Sequence, residues 1–237
     1  MNKYDIHTHI LPAIDDGAYD VDISLVLLEE LERQGVTHLA LTPHFYTQRS
    51  DMSQSSINKF VSARKSAFDE LKAVYNGKIK LILGCELHLT ENILKADDIS
   101  PFCYSGTNYL LTEMPYYSKF PQNEIELLNV LIKHYKVIPV LAHIERYPVL
   151  LSNTSLLERL IDMGCITQVN TESFANFFRS KRLVKLINNG YIYALGSDTH
   201  STTHGCDYAK GYNYIEFYCK PDKLEFITEN SRKIFGE

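Results

Sequence analysis

His7 and His9, one residue apart near the N-terminus, are the first side chains in this sequence whose types and spacing suggest chemistry. The alternation over residues 4–9 predicts a short strand. Side chains two apart on a strand point the same way, so both imidazoles share one face. Two such rings fill a core poorly. They hold a divalent metal well, because neutral histidine is the commonest nitrogen ligand. The following stretch, Leu11-Pro12-Ala13-Ile14-Asp15-Asp16-Gly17, reads as a loop that presents two carboxylates beside a glycine able to turn the backbone. Which aspartate ligates is open; turn chemistry favours Asp15 as an Asx-turn residue and leaves Asp16 for a metal.

A histidine pair alone is a weak motif, and its value depends on partners elsewhere in the chain. The predicted strand over 36–44 ends at His44, that over 79–86 at Glu86, and that over 108–113 at Glu113. The strand over 137–143 ends at His143, a strand over 165–170 carries no candidate ligand, and that over 191–196 runs into Asp198 and His200. With Asp16 these make nine candidate ligands, five imidazoles and four carboxylates. Two metals use about eight protein ligands at most, so the set suits two to three ions sharing a bridging carboxylate. Nitrogen and oxygen donors without thiolate favour manganese, iron or zinc over magnesium or copper. Clustered divalent cations lower the pKa of a bridging water and clamp a phosphoryl group during in-line displacement. Arg146, three residues past His143, then stands where a guanidinium would hold phosphate bidentately.

Blander roles fit the other candidates. His38 lies inside the second strand and reads as a packed or edge histidine, and His88 reads as a solvated loop residue. His134 closes a predicted helix, where the dipole favours it. Glu145 reads as structural or as a partner orienting a ligating histidine. His204 lies in a polar loop and is open to either reading.

Between the strands lie helical patterns over 21–34, 57–75, 123–134, 156–163 and 182–189, with terminal helices between 208 and 235. Alternation of strand and helix about seven times predicts an α/β fold with a mainly parallel sheet. A doubly wound sheet would gather its site at one or two strand ends. Ligands at nearly every strand end require a barrel mouth. The expectation is one (β/α) barrel domain over 1–237, with seven strands.

The composition fits an ordinary globular protein, 45% hydrophobic and 22% charged, with a net charge of −5 and no basic cluster, which argues against nucleic acid as a partner. No apolar run is long enough to span a bilayer, and the N-terminus opens directly on the first strand rather than on a signal peptide. Cys85, Cys103, Cys165, Cys206 and Cys219 are odd in number and scattered, without a Cys-x-x-Cys pair. Neither a disulfide framework nor a structural zinc site is expected, and the chain reads as cytoplasmic.

The segments Asp-Ile-His-Thr-His, Asp-Asp-Gly, Thr-Pro-His, Gly-Cys-Glu, Ala-His-Ile-Glu-Arg-Tyr and Ser-Asp-Thr-His, together with Glu113, resemble the PHP (polymerase and histidinol phosphatase) superfamily. Within it, the chain is similar over nearly its whole length to the bacterial metal-dependent protein tyrosine phosphatases encoded with capsular and exopolysaccharide genes. The more discriminating segments are Leu-Pro-Ala-Ile-Asp-Asp-Gly, Ala-His-Ile-Glu-Arg-Tyr and residues 161–170. The resemblance implies a distorted (β/α)7 TIM-like barrel of the PHP fold, with three metals, usually manganese, at the C-terminal ends of the strands. It assigns His7, His9, Glu86 and Asp198 to one metal. The second takes Glu86 as a bridge with Glu113 and His143, and the third takes Asp16, His44 and His200. It makes Arg146 the phosphate-binding arginine and the substrate a phosphotyrosine in the tail of a kinase that controls polysaccharide synthesis. Some relatives carry a second phosphate-facing arginine after the last Asp-x-His; here the segment 201–206 has none, and His204 stands in that stretch.

The expected reaction is hydrolysis of a phosphomonoester by in-line attack of a metal-bridging hydroxide, with no covalent intermediate. Phenolate is a good leaving group, so a strong acid is unnecessary, although His200 or His204 could protonate it. No Cys-x5-Arg loop is present for a thiolate mechanism. The alternative is a small-molecule phosphoesterase of the histidinol-phosphate phosphatase type. A non-catalytic metal-binding regulator that docks a kinase tail is disfavoured by the complete ligand set.

Overall fold

The computed structural model describes residues 2–115 and 122–237. Nine parallel strands run through it: β1 (Tyr4–Thr8), β2 (His38–Leu41), β3 (His44–Tyr46), β4 (Lys80–Leu83), β5 (Glu86–His88), β6 (Tyr109–Glu113), β7 (Ile138–Leu141), β8 (Ile166–Asn170) and β9 (Ala194–Gly196). Two of the predicted strands are each cut in two. Pro43, between β2 and β3, has no N–H to give to a ladder. Gly84, between β4 and β5, sits where a Cβ would come within 2.8 Å of the Tyr104 ring and 2.9 Å of Thr42 Cγ2. Only glycine allows that approach. Nine strands less these two interruptions leave the seven strand positions expected.

Pairing runs β1-β2-β4 in one sheet and β3-β5-β6-β7-β8-β9 in the other. Just past β9, Asp198 N–H donates to the His7 carbonyl at 2.8 Å and His9 N–H donates to the Thr199 carbonyl at 2.9 Å. Ser197 N–H donates to the Asp5 carboxylate at 2.8 Å. These bonds bridge the first and last strands at one seam, and among the described residues no regular ladder runs along it. The curvature shows in the packing. Tyr4, Ile6, Ala40, Leu111, Val140, Ile166 and Ala194 come from six strands yet form one buried cluster, with Ile82 of β4 packed against it. A layer shared by all seven positions forms only where the sheet wraps around it.

The outer layer is α1 (Val21–Arg33), α2 (Gln54–Val74), α3 (Gln122–Lys133), α4 (Pro148–Ser152), α5 (Thr154–Asp162), α6 (Phe177–Asn188), α7 (Tyr208–Tyr218) and α8 (Pro221–Ile234). Their inward stripes, such as Leu27, Leu28 and Leu31 of α1, join the large core cluster on the outside of the sheet. Each such leucine contributes about 2 kcal/mol by leaving water. Helix α6 begins at Phe177, not at 182, because the Asn176 side chain caps it by accepting from Arg179 N–H at 3.0 Å. Helix α4 is too short for periodicity to reveal; it starts on Pro148, whose fixed φ suits a first turn. No helix among the described residues is long and apolar enough to cross a membrane.

Candidate metal centre

Because every strand is parallel, all strand C-termini face one mouth, and the side chains predicted as ligands meet there. Glu86 opens β5 at the centre, fully buried. Its Oε2 accepts no hydrogen bond, yet lies 2.9 Å from His44 Nδ1, 3.2 Å from His7 Nε2 and 3.3 Å from His9 Nε2. Its Oε1 is 2.9 Å from His143 Nε2, which is itself 3.8 Å from Glu113. Asp198 Oδ1 is 3.4 Å from His7 Nε2 and 3.3 Å from His9 Nε2. At the outer rim, Asp16 Oδ1 is 3.7 Å from His44 Nε2 and 3.6 Å from His200 Nε2. All nine predicted ligands are thus drawn into one network.

Donor atoms close enough to share an ion fall into three groups: His7, His9 and Asp198; His44, Glu86 and Glu113; and His9, Asp16, His44 and His200. These cut across the sets implied by resemblance, since His9 and His44 each serve two groups and His44 replaces His143 beside Glu113. The donor set suits cations. His7 Nε2 and His9 Nε2 stand 3.1 Å apart and both face Glu86 and Asp198, a crowding of nitrogen and oxygen donors that an ion would relieve. Burial would lower the basicity of His7, but Glu86 and Asp198 raise it, and His9 is driven well above its ordinary value by Asp15, Asp198 and Glu86 against the same burial. Burial would likewise raise Glu86 and Asp198, but the His7 charge and further bonds from imidazoles hold both well below the carboxylate range. The mouth calls for positive charge.

Several ring orientations are set from behind. His9 Nδ1 bonds Asp15 Oδ2 at 2.7 Å, and His200 Nδ1 bonds the Asp198 carbonyl at 2.8 Å. A carbonyl only accepts, so Nδ1 of His200 carries the proton and Nε2 keeps its lone pair toward Asp16. His143 and Asp198 hold left-handed backbone at φ +33° and +59°. Such strain, about 1–3 kcal/mol for each residue, is characteristic of functional sites.

Arg146 lies at the rim in the 3-10 turn Ile144–Arg146, bonded to Asp198 Oδ2 and 3.7 Å from Glu172. His204 is exposed, its ring stacked on His200 at 4.9 Å between centroids, outside the ligand groups.

Residues 3–235 match the family described as capsular polysaccharide synthesis, CpsB/CapC. The chain belongs to the CpsB/CapC family. Relatives of this CpsB/CapC protein include the tyrosine-protein phosphatase CpsB of Streptococcus pneumoniae, 29% identical over 246 residues that cover 97% of each chain. The tyrosine-protein phosphatase YwqE of Bacillus subtilis is 31% identical over 209 residues, covering 83% of this chain and 77% of its own. Among solved structures, one from work on YwqE and CpsB, described as unique metal-dependent tyrosine phosphatases, superposes with a TM-score of 0.75 at 23% identity, covering 98% of this chain and 94% of its own.

For this CpsB/CapC member, sequence reasoning missed residues that support the ligands. Asp15 does make the expected Asx turn, accepting from Gly17 N–H at 3.1 Å, but its second oxygen holds His9 and the His44 N–H, the latter at 2.9 Å. Burial would raise its pKa, and these donors bring it down to about 2. The aspartate-glycine spacing was the available signal. Gln168 and Asn170 of β8 lie fully buried beneath the cluster and looked like ordinary strand residues. Among the described residues the hydrogen-bond partners of Glu145 are on β8 and just past it. It accepts from Asn170 N–H at 2.9 Å and Ser173 Oγ at 3.0 Å, and burial pushes it up to about 7. His88 is the last residue of β5 rather than a loop residue, 3.1 Å from Gln48 Oε1. His38 is buried and stacked on Tyr4 at 4.3 Å.

Proposed function

We propose that this chain is a metal-dependent phosphomonoester hydrolase acting on phosphotyrosine in proteins. The observation that carries this reading is the convergence of five imidazoles and four carboxylates on one mouth, with the Arg146 guanidinium on its rim. His7, His9, Asp16, His44, Glu86, Glu113, His143, Asp198 and His200 would hold two to three divalent ions, for which manganese is the proposed choice. Bound there, such ions supply an activated water and neutralise phosphoryl charge.

The protein's own part follows from its geometry. Arg146, a third exposed, can turn from Asp198 and Glu172 to clamp two phosphoryl oxygens. The pinned rings of His9 and His200 spend no free energy reorganising during the reaction. His204, exposed and stacked on His200, is free to carry a proton to the departing phenolate. No thiol competes as nucleophile: all five cysteines are buried, and burial raises each thiol, Cys206 and Cys219 to about 11 and the others further. The names of the relatives support a phosphotyrosine substrate, and the description of the family supports a role in capsular polysaccharide synthesis. The proposed partner is the phosphotyrosine tail of a kinase controlling capsule or exopolysaccharide synthesis, met in the cytoplasm.

The test is phosphate release from a phosphotyrosyl peptide and from histidinol phosphate, with manganese or with EDTA. Metal-dependent turnover of the peptide, falling about 10²–10³-fold in Arg146→Ala, is expected. Release from histidinol phosphate alone would move the assignment to a small-molecule phosphoesterase.

A further inference from the structure

Gln168 and Asn170 alternate with Val169 on β8, so both side chains point to one face, and both are fully buried beneath the mouth. Gln168 Oε1 accepts from the backbone N–H of His143 at 2.7 Å and lies 3.4 Å from His7 Nδ1. Gln168 Nε2 donates to Asn170 Oδ1 at 2.7 Å, and Asn170 Nδ2 donates to Asp198 Oδ2 at 2.9 Å. One pair of amides therefore touches three of the nine proposed ligands, from β1, from the turn after β7 and from the segment after β9.

The direction of this chain of bonds is not free. A backbone N–H can only donate, so the His143 amide forces the oxygen of Gln168 toward itself. That turns Nε2 toward Asn170, which must answer with its oxygen and so present its own NH2 to Asp198. The same Gln168 oxygen faces His7 Nδ1, while His7 Nε2 faces the Glu86 and Asp198 carboxylates at 3.2 Å and 3.4 Å, the edge that a cation between them would share. We infer that Gln168 and Asn170 are positioning residues. Their two amides form a one-way relay that fixes the His143 backbone beside His7 and aims the Asp198 carboxylate, tuning the mouth for divalent cations. The inference rests on the reading of His7, His143 and Asp198 as ligands.

The readout is manganese affinity of the full chain, not activity. Titration should show binding weakened about 10- to 100-fold in Gln168→Leu and in Asn170→Leu, each of which keeps the size and loses the amide. Because the two amides act in series, the double variant should bind no more weakly than the weaker single variant, whereas two unrelated packing losses would multiply. Thermal unfolding of the metal-free variants separates this from simple loss of fold. Wild-type manganese affinity in both single variants overturns the relay, whatever their stability, and so does a double variant whose loss is the product of the two single losses. Absence of manganese binding by the wild type itself would overturn the metal reading of the mouth, and the relay with it.

Discussion

The two ends of this barrel use histidine in opposite ways. At the mouth, His9 on the end of β1 is held by Asp15, and its open nitrogen faces two more carboxylates, which raise its basicity. At the floor, His38 opens β2 between the rings of Tyr4 and Phe235, with centroids at 4.3 Å and 5.6 Å, and burial lowers its basicity although Glu237 lies 3.4 Å away. Both side chains are buried, and each has a carboxylate within reach. The difference is one of number. A single half-screened glutamate cannot offset desolvation, whereas several carboxylates pointed at one spot more than offset it. Ligand character belongs to the end of the strand, not to the residue.

The comparison breaks most completely at Glu86. In Glu86→Gln the mouth loses the carboxylate on which four imidazoles converge, and both manganese binding and metal-dependent phosphate release should vanish into background. A variant that keeps its bound metal would deny the mouth its centre. A smaller effect is expected at Asp15→Asn, which keeps the turn to Gly17 and weakens the hold on His9. Metal affinity should drop about 10- to 100-fold while the fold survives, a pattern that calorimetric titration can resolve.

The smallest effect lies at the floor. His38 has a folded value below its ordinary 6.5, so the unfolded chain binds its proton more readily. Its contribution to stability is therefore present above about pH 6.5 and is lost as pH falls toward the lower folded value. His38→Phe removes that slope. The difference in melting temperature between variant and wild type should narrow at neutral pH and favour the variant as the solution is acidified through this window, with metal binding unchanged. A change in metal affinity would show that floor and mouth are not independent.

Much of this was readable from the residues. Strand ends could be located because each apolar run stopped at His, Glu or Asp, and the barrel followed from asking what brings those ends together. Pro43 and Gly84 broke strands inside runs that look continuous, since an apolar pattern records burial and not the availability of an N–H. Asp15 was read as a turn former because one oxygen suffices for a turn; that its other oxygen serves His9 depends on a loop folding back across the mouth. The amides of Gln168 and Asn170, in the middle and at the end of β8, carry no charge, so nothing local distinguishes them from polar residues facing water. Supporting residues are defined by what they touch, and a linear sequence does not hold that information.

The seam between β1 and the segment after β9 has a consequence for how the protein is made. Asp5 meets the amide of Ser197 across 192 positions of sequence, and the backbones of His7 and His9 bond those of Asp198 and Thr199 across nearly as many. A chain still emerging from the ribosome presents His7, His9, His44 and Glu86 long before Asp198 and His200 exist outside the exit tunnel. The mouth is therefore among the last features to be completed, and the metal competence proposed for it would be withheld until synthesis is nearly finished. Truncated products carry most of the ligands and none of the seam, so they would hold metal loosely and surrender it readily to the cell's own chelators.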